Sequence, residues 1–192
     1  VVHGVDPVAD RQGGRGDSMT ATAVEGAVIF SDLVGFTEFN GARGDAAAVD
    51  VLDRHRALMD DAIVAAAGPD GRVVKELGDG LLVWSPTAAS GVRIAAGFLD
   101  GLGEARETAD FPLAARLGVH HGAVQPRGDD IVGQTVNVAA RIVDLAGPGE
   151  ILLSESVVGA CDGEVPTLQP VGPATVKGVA EPVWLYRVER VR

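Results

Sequence analysis

The chain has 192 residues, 46% of them hydrophobic, and its 16 basic and 27 acidic residues give a formal net charge of −11. This length can bury one sizeable core and favours a single domain. The negative charge argues against non-specific binding to nucleic acid or to an anionic membrane. A single cysteine, Cys161, excludes an internal disulfide and fits a reducing compartment. The sequence shows no signal-peptide pattern and no apolar run of membrane-spanning length, so we expect a cytoplasmic protein.

The first 22 residues are rich in Gly, Asp and Arg and lack apolar periodicity. This composition predicts a flexible N-terminal tail. Met19 is a candidate natural start, in which case the residues before it are an expression remnant or an upstream linker. We expect residues 23–192 to form the folded domain.

From Val24 onward the hydrophobic pattern alternates between strand-like and helix-like segments. Through residue 124 the order is strand, helix, strand, strand, helix, strand, which predicts an α+β fold with a ferredoxin-like βαββαβ core and helices on one face. The last third of the chain adds further strands to this core. The predicted strands are 24–32, two around 72–84, 113–124, 150–153, 168–177 and 182–190, and the predicted helices are 45–67, 86–108, 134–146 and 154–160.

Two carboxylates occur where apolar strands end or turn. Asp32 ends an apolar strand, and Asp79 lies in the tight turn Gly78–Gly80 between two strands. If these segments pair, the carboxylates lie side by side, and an unpartnered carboxylate there costs several kcal/mol. Two oxygen ligands without nearby Cys or His suit Mg²⁺ or Mn²⁺. The alternative is that Asp32 is a helix cap and the turn is an ordinary hairpin.

The residues after Asp32 predict an anion-binding site beside the predicted metal site. Gly35 is followed by Phe36, Thr37 and a helical segment, so backbone N–H groups there can point at an anion. Because Mg²⁺ and Mn²⁺ usually complete their shells with substrate phosphate oxygens, the combination indicates a nucleoside triphosphate.

Asn137 and Arg141 lie four residues apart in a predicted helix and therefore on one face. The guanidinium suits a phosphate, and the amide suits a sugar or its ring oxygen. The alternative is that Arg141 pairs with a surface carboxylate and that Asn137 faces solvent.

Two lysines are further candidates. Lys75 is flanked by apolar strand residues and must find a partner or emerge at an edge; together with Asp130 it could read the amino group and ring nitrogen of adenine. Lys177 precedes a turn and is either a phosphate clamp or a solvated loop lysine.

These residues resemble the class III nucleotidyl cyclase catalytic domain, the adenylyl and guanylyl cyclase homology domain, from about Val24 to Val188. Any one matching segment is weakly specific, but six occur in the family's order. They are Phe30–Thr37, Lys75–Asp79, Arg116–His120, Gly133–Arg141, Pro148–Ser154 and Val176–Pro182.

The resemblance implies a role for each candidate residue. Asp32 and Asp79 would bind two divalent ions, Mg²⁺ or Mn²⁺, with the backbone carbonyl of Leu33 as an extra ligand. Lys75 and Asp130 would select adenine. Asn137 and Arg141 would orient the ribose and stabilise the transition state, and Arg116 and Lys177 would hold the terminal phosphates. Family enzymes cyclise ATP to cyclic AMP and pyrophosphate.

The resemblance also implies a dimer, because the family builds each site from two subunits. This chain carries both sets of residues, so we expect a head-to-tail homodimer with two composite sites. The stretch between His121 and Gly133 is shorter than the family's usual dimerisation arm, and Gln134 stands where many members have Asp.

Three other functions remain as alternatives to an adenylyl cyclase. The first is a guanylyl or relaxed purine cyclase, and the second is a non-catalytic nucleotide-binding module. The third, a single-stranded nucleic-acid binder, is disfavoured by the 4% aromatic content and the absence of a basic face. We interpret His55, His120 and His121 as structural or solvated.

Overall fold

An eight-stranded sheet carries the fold. The computed structural model describes residues 22–108, 111–161 and 166–189. The strands are β1 Val24–Val34, β2 Arg72–Leu77, β3 Gly80–Ser85, β4 Ala114–Arg127, β5 Asp130–Val132, β6 Ile151–Ser154, β7 Leu168–Ala174 and β8 Val183–Val188. Their order in the sheet is β2-β3-β1-β4-β6-β8-β7, and β5 pairs with β4. The helices are α1 Phe36–Arg43, α2 Asp45–Ala67, α3 Ala88–Glu107, α4 Gln134–Leu145 and α5 Glu155–Ala160.

The predicted α+β architecture is confirmed, with local differences at the ends of several elements; β1 continues to Val34, and β7 ends at Ala174 instead of 177. A separate short helix, α1, precedes α2, because Gly44 adopts a φ of 81° that breaks the helical path between them. Strand β4 continues to Arg127, past the predicted end at residue 124, because it pairs with β5 across a hairpin. The predicted tail, residues 1–22, lies outside the described residues apart from Thr22. Within the described ranges, no helix is long and apolar enough to cross a membrane.

Helices cover both faces of the sheet. In β1, Ala27, Ile29 and Leu33 pack in one hydrophobic cluster with α2 and α3, whereas Val28 and Phe30 pack in another with residues of α4. This split follows from the alternation of side chains along a strand. The expectation of helices on one face therefore applies to the chain up to residue 124, and α4 covers the other face.

Helix α4 lies directly on β4 because a glycine leaves it room. A Cβ atom at Gly118 would overlap the backbone nitrogen of Val143 in α4. Val143 and Ile142 are buried under this contact. The close approach fixes where α4 presents the side chains of its outer surface.

A buried histidine connects α2 to β1. His55 is 1% exposed, its Nε2 atom lies 3.1 Å from the hydroxyl oxygen of Ser31, and its ring packs on Phe98 at 5.3 Å between centroids. Burial lowers the pKa of His55 to about 4. The interpretation of His55 as a structural residue agrees with this environment.

The lowered pKa of His55 predicts a loss of stability in mild acid. The unfolded chain takes up a proton at His55 below about pH 6.5, whereas the folded chain does so only near pH 4. Neutral His55 therefore contributes fully to the free energy of unfolding above pH 6.5. As the pH falls from 6.5 to 4, the free energy of unfolding decreases by at most about 3 kcal/mol. His120, whose pKa burial also lowers to about 4, adds to the same fall.

The measurement is urea unfolding at several pH values between 7.5 and 4.5. His55→Gln removes the titrating group and should unfold with a shallower dependence on pH than the wild-type protein. If the free energy of unfolding depends on pH equally in both proteins, His55 is not the group that causes the loss of stability.

Candidate active site

The two predicted metal carboxylates lie together at one end of β1. Strand β1 pairs with β3 up to Ser31 opposite Leu81, so the β2–β3 turn that holds Asp79 lies beside Asp32. A Cβ atom on Gly80 would be 2.9 Å from the carbonyl oxygen of Ser31 and 3.8 Å from Oδ1 of Asp32. The turn can approach Asp32 because Gly80 has no side chain.

Asp79 lies in an environment that disfavours its charged form, although Arg116 offsets part of this effect. Burial raises the pKa of Asp79, and the negative charge of Asp32 raises it further. Such a pair favours a bound cation, and its donors are oxygen atoms only, which fits Mg²⁺ or Mn²⁺. Among the described residues, no three or more His, Cys, Asp or Glu side chains form a metal cluster. Further ligands would have to come from a carbonyl such as that of Leu33, from water or from substrate phosphates.

Arg116 pairs directly with Asp32, an interaction that the sequence analysis did not predict. Its Nε and NH2 atoms donate to Oδ2 of Asp32 at 2.8 and 2.6 Å, and NH1 donates to the carbonyl oxygen of Asp144 at 3.3 Å. The two residues are directly opposite in the β1–β4 register. Arg116 was predicted to hold terminal phosphates, and its pairing with Asp32 follows from the register of the two strands in the structure.

Lys75 and Asp130 form the second half of the site. The ammonium of Lys75 lies 2.7 Å from Oδ2 of Asp130, and the backbone N–H of Ile131 donates to Oδ1 at 2.8 Å. The hydrogen bond from Lys75 lowers the pKa of Asp130, and the one from Ile131 contributes next. Asp130 is therefore a fixed carboxylate with a cation beside it.

Both halves lie on the same face of the sheet. Lys75 is opposite Leu82 and Leu82 is opposite Phe30, so these three side chains point to one side. Asp32 is two residues beyond Phe30 and points to that side too. This is the face that α4 covers in part.

Helix α4 presents Asn137 and Arg141 on its exposed surface. Arg141 is 55% exposed and its NH1 atom lies 3.5 Å from Oδ2 of Asp144. The surface ion pair that we considered as the alternative for Arg141 therefore exists in the free chain. At this exposure it is weak enough to be exchanged for a phosphate.

A turn next to α4 carries Lys177. The N–H of Val179 donates to the carbonyl oxygen of Val176 at 3.1 Å, and Gly178 has a φ of 88°. Val176 is buried against α4, and the amide of Gln134 donates to the carbonyl oxygen of Gly178 at 3.4 Å. Lys177 is exposed at the tip of this turn.

Phe36 and Thr37 form the first turn of α1. Gly35 precedes them in the left-handed conformation with a φ of 80°, and no side chain caps the helix. Phe36 packs against the core, and Thr37 is exposed. Their N–H groups are left without a side-chain cap, as the predicted anion site requires.

Comparison with known proteins identifies the family. A profile described as the adenylate and guanylate cyclase catalytic domain matches residues 20–189. The chain is 34% identical to an adenylate cyclase of Glutamicibacter nicotianae over 141 residues, covering 72% of this chain and 33% of that protein. It spans less than half the length of the curated relatives it matches.

Two solved structures share the fold. The adenylyl cyclase CyaB from P. aeruginosa superposes with a TM-score of 0.78 at 25% identity, covering 89% of this chain and 96% of that one. An adenylate/guanylate cyclase/hydrolase from Silicibacter pomeroyi gives 0.77 at 26% identity, covering 88% and 99%. The profile match takes in both halves of the site described above, and this chain belongs to the adenylate and guanylate cyclase catalytic domain family.

Proposed function

We propose that this domain converts ATP to 3′,5′-cyclic AMP and pyrophosphate with two divalent ions, at composite sites of a homodimer. The observation that carries the proposal is that one face of the sheet holds two separate groups of charged side chains. Asp32 and Asp79 form a carboxylate pair suited to metal ions, and Lys75 with Asp130 forms a fixed pair suited to a base. The relatives from Glutamicibacter and P. aeruginosa are adenylate cyclases, which supports the choice of ATP.

The Lys75–Asp130 pair favours adenine over guanine for a chemical reason. Adenine presents an amino donor and an adjacent ring acceptor, which complement the carboxylate of Asp130 and the ammonium of Lys75. Guanine presents a carbonyl oxygen at the position of that amino group, so in the same pose Asp130 would face a second acceptor. A carboxylate that faces an acceptor in place of a donor loses a hydrogen bond, which is costly.

The remaining residues position the triphosphate and stabilise the transition state. The ribose 3′-oxygen attacks the α-phosphorus, its proton is released, and the bond to the pyrophosphate oxygen breaks. Bound divalent ions would lower the pKa of the 3′-hydroxyl and neutralise phosphate charge. Asn137 would orient the ribose, Arg141 would stabilise charge at the α-phosphate, and Arg116, Lys177 and the first N–H groups of α1 would hold the terminal phosphates.

Exposed apolar side chains next to each polar group support the homodimer. Leu77 beside the Asp79 turn is 46% exposed, Val132 beside Asp130 is 38% exposed, and Leu145 at the end of α4 is 52% exposed. A partner docking on this face would remove these surfaces from water. Each site would then combine the carboxylate pair of one subunit with Lys75, Asp130, Asn137 and Arg141 of its partner.

Product analysis tests the proposed reaction. Purified protein incubated with ATP or GTP and Mn²⁺ or Mg²⁺ should yield cyclic AMP and pyrophosphate, as separated by chromatography. Asp32→Asn should lower the rate at least about 100-fold because it removes a metal ligand. Asp60→Asn, a substitution of the same kind at a surface ion pair with Arg56, is the control and should retain the rate. Cyclic GMP as the main product would assign the domain to guanylyl cyclases instead.

A charge reversal at Lys75 tests base selection. Lys75→Glu places two carboxylates at the base and should lower the ratio of kcat/KM for ATP over GTP at least about tenfold. Arg72→Glu, on the same strand and exposed, is the matched control. If Lys75→Glu leaves the ratio unchanged, Lys75 does not read the base.

Mixing two inactive variants tests the composite site. Asp32→Asn and Arg141→Ala each damage a different half, so a heterodimer keeps one intact site. In a random 1:1 mixture half of the dimers are heterodimers, and about a quarter of the wild-type activity should return. Persistent inactivity after exchange, with heterodimers demonstrated by mass, would show that the halves do not combine between subunits.

A further inference from the structure

Arg116 binds only one of the two oxygen atoms of Asp32. Both of its donors to Asp32 reach Oδ2, at 2.8 and 2.6 Å. The other oxygen, Oδ1, faces the turn with Asp79, since it lies 3.8 Å from the position of a Cβ on Gly80. The carboxylate thus has one oxygen bound by a guanidinium and the other oxygen turned to the loop that holds Asp79.

We propose that Arg116 is a resident cation of the metal site, which holds Oδ2 of Asp32 until a triphosphate draws it away. In the nucleotide-free chain, Oδ1 remains available to one divalent ion, and Oδ2 becomes available to a second ion only when Arg116 leaves. This inference rests on the proposed function, because it assumes that Asp32 is a metal ligand.

The environment makes this pair strong enough to compete with a metal. Arg116 and Asp32 are each 27% exposed, so their attraction is screened less than that of a surface pair. The third contact, from NH1 to the carbonyl oxygen of Asp144, fixes the guanidinium at the end of α4. Three N–H groups of Arg116 therefore have acceptors within the protein.

A triphosphate offers Arg116 a better acceptor. Phosphate oxygens carry more charge than a single carboxylate and accept two parallel N–H bonds from a guanidinium. Moving Arg116 to the phosphates frees Oδ2 without leaving the cation unpaired. Nucleotide and divalent ions would then strengthen each other's binding, and the coupling must be reciprocal.

The opposite possibility is that Arg116 only positions Asp32. In that case Arg116 would help Asp32 to bind a metal, and its removal would weaken metal binding. The two roles therefore predict effects of opposite sign on the nucleotide-free protein.

The test is Mn²⁺ binding to nucleotide-free protein, measured by the electron paramagnetic resonance of unbound Mn²⁺. Arg116→Gln should bind Mn²⁺ at least about tenfold more tightly than the wild-type protein, or bind one more ion per chain. Arg141→Gln is the matched control, since it removes the same charge from a side chain that contacts Asp144 but is not bonded to Asp32; its affinity should change less than about threefold. Asp32→Asn should lose the binding and so identifies the site.

Arg116→Lys provides a second variant in case Arg116→Gln does not fold, as judged by its thermal melt. Lysine keeps the positive charge but cannot donate two N–H groups to Oδ2 as a planar guanidinium does. Arg116→Lys should therefore bind Mn²⁺ with an affinity above that of the wild-type protein. Adding a non-cleavable ATP analogue should raise the Mn²⁺ affinity of the wild-type protein more than that of Arg116→Gln.

Three results would overturn the inference. Unchanged or weaker Mn²⁺ binding in the Arg116 variants would make Arg116 a positioning residue. An equal increase in Mn²⁺ affinity in Arg141→Gln would show that the effect comes from long-range electrostatics and not from the bond to Asp32. Both of these leave the cyclase proposal standing. The absence of Asp32-dependent Mn²⁺ binding in every variant would overturn both the inference and the proposed metal site.

Discussion

The arrangement of the site depends on the register of β1 with its two neighbours. Pairing with β3 places Asp32 beside the Asp79 turn, and pairing with β4 places it opposite Arg116. A slip of one residue would turn Asp32 toward the core cluster formed with α2 and α3 and would move Ile29 to the face that packs against α4. The burial of both faces of β1 therefore holds the carboxylate in position. The bond between Ser31 and the buried His55 anchors the same end of the strand to α2.

Two carboxylates of the site have opposite electrostatic environments, and this difference matches the roles we propose. Burial raises the pKa of Asp79 and the negative charge of Asp32 raises it further, and Arg116 only partly offsets these effects. Asp130 already has Lys75 and a backbone N–H as partners, and its pKa is lowered. A carboxylate that lacks a counter-charge favours a metal ion, whereas one that is fixed and charged suits the recognition of a neutral base. The fold thus places one type of side chain in two different environments.

Helix α4 connects the two halves of the site within one subunit. Gly118 lets the helix lie on β4, and the carbonyl oxygen of Asp144 at its end accepts a hydrogen bond from Arg116. On its outer surface the helix presents Asn137 and Arg141 to solvent. A side chain at Gly118 would push α4 away from the sheet and from Arg116. The packing of one helix therefore affects residues that we assign to two different active sites of the dimer.

The sequence by itself determined the α+β architecture and the order of strands and helices up to residue 124, because periodic burial is a local property of the chain. It indicated the grouping of Asp32 with Asp79 on the condition that their two segments pair, as β1 and β3 do. It also indicated Lys75 with Asp130, which the structure joins in an ion pair. Only the tertiary structure decided that α4 covers the second face and that Arg116 pairs with Asp32. Both depend on contacts between segments distant in sequence, such as β1 with β4, whose register is set by the packing of the whole sheet and not by either strand alone.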